Sequence, residues 1–159
     1  MPKPLGAAAS VLIAALMFTA CSTAAHGGSP SWGAGCARAE ADIRVASLEA
    51  GPFTGVTTPQ NMITAERNWE ALGPEKVAAD KALKRADFTG PPTSLKAVTF
   101  PPALARQMHQ IDTDLAAFGA ARIGYRPHRS PQPIGAAAQK LLRDARVVLA
   151  TCSRTQTQS

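Results

Sequence analysis

The side chains most able to do chemistry are three cysteines, three histidines and a scattering of carboxylates. His26 lies among small and polar residues and His128 in a proline-rich stretch. His109 falls on a segment of helical periodicity, about 140° from the centre of the apolar stripe on an ideal helix. Asp112 follows it by three residues, the spacing of a surface ion pair. A metal site would need two or three further ligands, and none stands at a recognisable spacing. Asp112 and Asp114 are two apart and project in different directions. Glu66 and Glu70 share a face beside Trp69, which a solvated helix flank explains. No Gly-x-Ser-x-Gly, P-loop, dinucleotide or His-Glu-x-x-His motif occurs. The sequence therefore assigns no catalytic residue, no metal ligand and no cofactor, and the chain reads as non-enzymatic.

One constellation stands out by charge. Between Arg122 and Arg129 lie three arginines (Arg122, Arg126, Arg129), the only tyrosine, Tyr125, and His128, and no acid occurs between Asp114 and Asp144. Basic residues beside anionic headgroups contribute about 1 kcal/mol each, and Arg and Tyr are frequent anchors in protein interfaces. Arg122, Tyr125, Arg126 and Arg129 are thus expected to meet an anionic surface, with a merely solvated basic loop as the plain alternative. Tyr125, His109 or Met108 could ligate haem in a bundle cavity, but Met108 belongs to an apolar stripe, where packing explains it.

The chain opens Met-Pro-Lys-Pro, and Leu5 to Ala20 then carry no charge. A short positive start followed by an apolar run is the pattern of an export signal. The run falls short of the roughly 20 residues that span a hydrocarbon core. Phe18-Thr19-Ala20-Cys21 follows. This segment resembles the lipobox of bacterial lipoproteins: Thr19, Ala20 and Cys21 match it, and Phe18 stands where leucine is usual. The resemblance covers the first 21 residues and does not extend to the rest of the chain. It implies acylation of Cys21, cleavage just before it, and attachment to the extracytoplasmic face of a membrane. One acyl chain gives marginal binding, whereas two or three hold a protein durably. Ordinary cleavage after Thr23-Ala24-Ala25 is the alternative and would give a free secreted protein.

Removing residues 1–20 leaves 139 residues, enough for one domain with a real core, and lowers the charge from +6 to +5 because Lys3 departs. With Cys21 acylated, Cys36 and Cys152 remain. In an oxidising compartment such a pair reads as a disulfide, against the alternative of two buried thiols. No thiol is then left as a nucleophile. Export, with two tryptophans and one tyrosine for stacking, argues against nucleic acid as a partner.

The elements that must position these residues read as helices. Residues 22–33 are small and polar and suit a tether, Trp32 excepted, which could pack on the domain or sit at a lipid interface. Cys36, Ala39, Ile43, Ala46 and Ala50 form one stripe, closed by Gly51-Pro52. Thr58-Pro59 signals the capped start of a second helix, with Met62, Trp69 and Leu72 on its buried side, and Gly73-Pro74 breaks it. Glu75 to Asp87 carries Ala79, Ala82, Leu83 and Ala86 as its apolar edge. After the Pro-rich stretch Thr89 to Pro102, Leu104, Met108, Ile111, Leu115 and Phe118 recur at spacings of four and three. A last helix from near Pro133 aligns Ile134, Ala138, Leu141, Ala145, Val148 and Cys152. No run alternates as a strand would.

These segments predict an all-α fold, an up-and-down helical bundle of about four helices tied by one disulfide. Cys36 opens the first helix and Cys152 closes the last, so an antiparallel first–last pair brings them together. The expected organisation is a signal peptide over 1–20, acylated Cys21 and tether over 21–33, the bundle over 34–152, and a disordered polar tail over 153–159. The expected partners are the membrane, through the anchor, and an anionic lipid or acidic envelope protein. An accessory or interaction role is expected, with an extracytoplasmic carrier of a small hydrophobic ligand such as haem or lipid as the second reading.

Overall fold

A computed structural model describes residues 31–156. The expected signal segment, Cys21, His26 and the expected tether up to residue 30 lie outside the described residues, as does the end of the chain beyond 156.

Helix α1 spans Trp32–Ala50 and starts two residues before the expected domain boundary, because the Ser31 side chain accepts from the Ala34 amide and caps it. Its stripe is the expected one: Cys36, Ala39, Ile43, Ala46 and Ala50 are buried. A 3-10 turn at Gly51–Phe53 ends α1 and delivers Phe53 and, just after it, Val56 into the core. Helix α2 (Pro59–Ala71) opens as expected, with the Thr58 side chain capping the Asn61 amide and Pro59 at the first position. Met62 is buried there, whereas Trp69 and Leu72 are only half-buried. Helix α3 (Gly73–Ala86) follows at once and buries Ala79 and Leu83.

The stretch expected to be loop holds a small antiparallel hairpin, β1 (Phe88–Thr89) with β2 (Lys96–Ala97), paired Phe88 to Ala97 and Thr89 to Lys96. Gly90 makes its turn at φ 105°, where a Cβ would stand 2.8 Å from the Ser94 carbonyl oxygen. Two-residue strands are too short to leave an alternation in the sequence. Helix α4 (Pro102–Ile123) buries Leu104, Met108, Ile111 and Phe118, and also Asp114. Helix α5 (Gln132–Gln156) runs four residues beyond Cys152, into the stretch expected to be a disordered tail. The Ser153 and Thr155 hydroxyls there donate to the carbonyls of Leu149 and Thr151, one turn back.

The long helices run up, down, up and down. Gly35 abuts Pro101 and Leu104, and the Phe53 and Phe118 rings lie 5.4 Å apart, so α1 and α4 are parallel. Helix α5 is antiparallel to both: Cys36 bonds Cys152 with Cα atoms 5.5 Å apart, and Gly135 meets the backbone of Val56 at the other end. Helix α3 returns along α1, with Lys76 facing Glu49 and Asp87 facing Arg38. It packs on α1 rather than on α4 or α5. The core is therefore a three-helix sheaf of α1, α4 and α5, with α3 laid along its flank and short α2 crossing one end. The all-α class and the disulfide agree with the sequence expectation.

Candidate functional site

Two ends of the sheaf matter. At the end where α1 starts, the hairpin, the entry to α4 and the finish of α5 come together. At the opposite end are α2, the start of α3, and the loop from Gly124 to Pro131 between α4 and α5.

Of the residues expected to meet an anionic surface, the structure separates Arg122 from the rest. Its Nε and Nη2 donate to the Glu66 carboxylate at 2.9 and 2.6 Å. Its guanidinium lies over the Phe53 ring at 4.8 Å and over the Trp69 ring at 3.9 Å. The Lys76 ammonium also lies over that indole, 3.3 Å from the centroid, and its N–H donates to the Trp69 carbonyl at 3.1 Å. The indole N–H donates to Glu49 at 2.7 Å. Two cations thus share one electron-rich ring, and two carboxylates neutralise them, an arrangement in which both cation–π and charge-assisted contacts gain from partial burial. Burial holds Lys76 below its ordinary range, with Glu49 acting against the shift. The cluster joins α1, the 3-10 turn, α2, α3 and α4. Glu66 is accordingly a tie between helices and not a solvated flank.

Tyr125 packs half-buried against the core. Arg126 and Arg129 are exposed; Arg126 donates to the carbonyls of Ile123 and Tyr125 at 3.2 and 2.9 Å, which props its side chain on the loop's own backbone. His128 is exposed beside them. Neither Arg126 nor Arg129 is in an ion pair among the described residues. The basic groups this loop exposes are therefore Arg126 and Arg129, with Ile123 exposed just before them at the end of α4. At the same end, α2 and the start of α3 expose Ile63 and Arg67 but also the acids Glu70 and Glu75.

Two polar groupings escaped the sequence. Asp114 is buried, and its Oδ1 accepts from Gln110 at 2.8 Å and from Lys140 at 2.6 Å. Lys140 also donates to Asp144 at 2.9 Å, a bond that holds the Asp144 carboxyl below its usual range. Beside them a cleft of about 120 Å³ is lined by Gln107, Gln110, Asp144, Val147 and Val148, far short of the several hundred Å³ that drug-sized ligands occupy. On the far side of α4, Asp42 sits among Arg38, Asp87 and Asp112; burial raises its pKa to about 6, Arg38 opposing and the two acids assisting. His109 is exposed near Asp112. Asp114 gave no clear signal because its charged partner, Lys140, comes from the next helix, 26 residues on.

Among the described residues no three His, Cys, Asp or Glu side chains gather to hold a metal ion, and no helix is long and apolar enough to cross a membrane. Comparison with protein-family models, curated proteins and solved structures finds no match. The reading of function accordingly rests on the two ends of the sheaf and on the segment that precedes it.

Proposed function

We propose that this chain is a cell-envelope lipoprotein, anchored through Cys21, that works by contact rather than catalysis and presents its far end to an acidic envelope partner. The lipobox-like Phe18-Thr19-Ala20-Cys21 supports the anchor. The observation that carries the orientation is that α1 begins at one end of the sheaf while Arg126 and Arg129 stand at the other. The 19 residues of α1 measure about 28 Å at the helical rise. Electrostatic attraction to a bilayer decays within roughly 8 Å at physiological salt. With its near end toward the bilayer, the protein holds the basic loop beyond reach of the headgroups, and that posture favours a protein partner over lipid for the loop. Exposed Ile123, whose carbonyl Arg126 engages, supplies apolar area that an interface of charges alone lacks.

Intact-mass analysis of the membrane fraction, wild type against Cys21→Ser, tests the anchor. An N-terminus at Cys21 with added acyl mass, absent from the variant, is expected; cleavage after Ala25 without lipid would overturn it. For the loop, an oligoglutamate peptide at low salt serves as the acidic probe. Arg126→Ser with Arg129→Ser should weaken its binding by roughly tenfold or more, on the order of 1 kcal/mol for each exposed charge. Unchanged binding returns the loop to a solvated turn.

A further inference from the structure

The end of the sheaf where α1 begins carries an exposed apolar group that the core does not use. Trp32 is 37% exposed, Phe88 52% and Leu95 59%. Trp32 is the first residue of α1. Phe88 and Leu95 belong to the hairpin and its turn, which leave the sheaf at Asp87 and rejoin it at Val98. Both of those points are fixed on one side chain of α1: Arg38 pairs with Asp87 at 3.2 Å and donates to the Val98 carbonyl at 3.0 Å. The chain then enters α4 against Gly35, three residues from Trp32. Hairpin and helix start are therefore held at the same end.

The charge around this group is predominantly basic, with Asp80 paired to Lys84 and Glu40 the exposed acid on α1. From Lys81 to Arg106 the chain carries Lys81, Lys84, Arg85, Lys96 and Arg106 against the single acid Asp87, which Arg38 already engages. Arg85 and Lys96 are exposed and in no ion pair among the described residues. Tryptophan and phenylalanine rimmed by cations match the boundary between acyl chains and anionic headgroups, where amphipathic rings and long basic side chains both find partners. The opposite end exposes Ile63, Val77 and Ile123 but no Trp or Phe.

The chain that precedes the fold points to the occupant, because it keeps the start of α1 within a short distance of any membrane that holds Cys21. Only ten residues, 22–31, separate Cys21 from Trp32, and fully extended they reach no more than about 35 Å. We infer that this end, through Trp32, Phe88 and Leu95 with Arg85 and Lys96 at their rim, seats on the anionic bilayer that holds the acyl chains of Cys21. The inference rests on the lipoprotein reading. It makes the anchor a two-part device, in which the acyl chains give residence and the docked end gives a fixed posture.

The test uses the acylated full-length mature protein reconstituted into vesicles of phosphatidylcholine with about one-third phosphatidylglycerol, the acyl chains brominated near the headgroups. Flotation in high salt reads the anchor, and quenching of tryptophan emission reads the docked end. The Trp32→Ser variant gives the contribution of Trp69 for subtraction. Trp32 should be quenched strongly, and Phe88→Ser with Leu95→Ser, or Arg85→Ser with Lys96→Ser, should reduce that quenching several-fold while flotation persists. All substituted side chains are exposed, and circular dichroism checks that each variant folds. A floating protein with Trp32 unquenched overturns the docked end and leaves the anchor standing. A protein that fails to float in high salt overturns the anchor and, with it, this inference.

Discussion

Asp42 lies in a corner of α1 where its charge is poorly served: burial raises its pKa to about 6 from an ordinary 3.8, and Arg38, 3.9 Å away, offsets only part of that. Asp112 and Asp87 add to the rise. The folded chain therefore holds a proton that the unfolded chain releases between those two values. The resulting stabilisation is complete below pH 3.8 and is lost as the pH climbs through about 6. Asp42→Asn should remove this slope. Thermal unfolding across a pH series is expected to show the variant more stable than wild type at pH 7.5, by on the order of 1 kcal/mol after allowance for solvent screening. A variant equal to or less stable than wild type at that pH would mean that the ionised carboxylate is already satisfied. At the same scale, Arg122 shows why a residue's type does not give its role. In the sequence it is one of three arginines in a basic run, and in the fold it is the one that Glu66, Phe53 and Trp69 hold.

Among the elements, the approach of α5 to the 3-10 turn depends on Gly135, where a Cβ would collide with the Val56 carbonyl oxygen. Gly135→Ala should force the start of α5 away from the turn and cost about 1–3 kcal/mol, visible as a lower urea midpoint with an unchanged slope. An unaffected midpoint would mean that the two backbones separate freely. That contact also marks where sequence reading stops. The stripes of α1, α4 and α5 were legible because a repeat of three and four is a local signal, and so were the Thr58 cap and the Gly73-Pro74 break. Phe53 and Val56 carried no period, being in a turn, yet they plug the core between α1, α4 and α5. The hairpin of Phe88 and Ala97 is too brief to register, and the Arg122–Glu66 tie joins residues 56 apart. Of the candidate contact surface, the sequence supplied the charges; the third dimension decided which of them face outward.

For the molecule as a whole, the Cys36–Cys152 bond closes a loop of 116 residues, and its removal should cost roughly 4–5 kcal/mol on the chain-entropy view. Cys36→Ala with Cys152→Ala is expected to lower the denaturation midpoint by that amount while keeping the helical circular-dichroism spectrum. A loss below about 1 kcal/mol would mean that helix packing already restricts the unfolded chain. The same bond has a mechanical meaning. A pull applied between Ser31 and the loop near Ser130 enters five residues before Cys36. Along the main chain, the path from Cys36 to that loop runs through α1, α2, α3 and α4, roughly 90 residues or about 300 Å when drawn straight. Across the sulfurs it runs back through α5 alone, roughly 20 residues and about 70 Å. Load therefore travels by the shorter line. While the bond holds, α1 beyond Cys36 and all of α2 to α4 lie on a slack branch and are not drawn out.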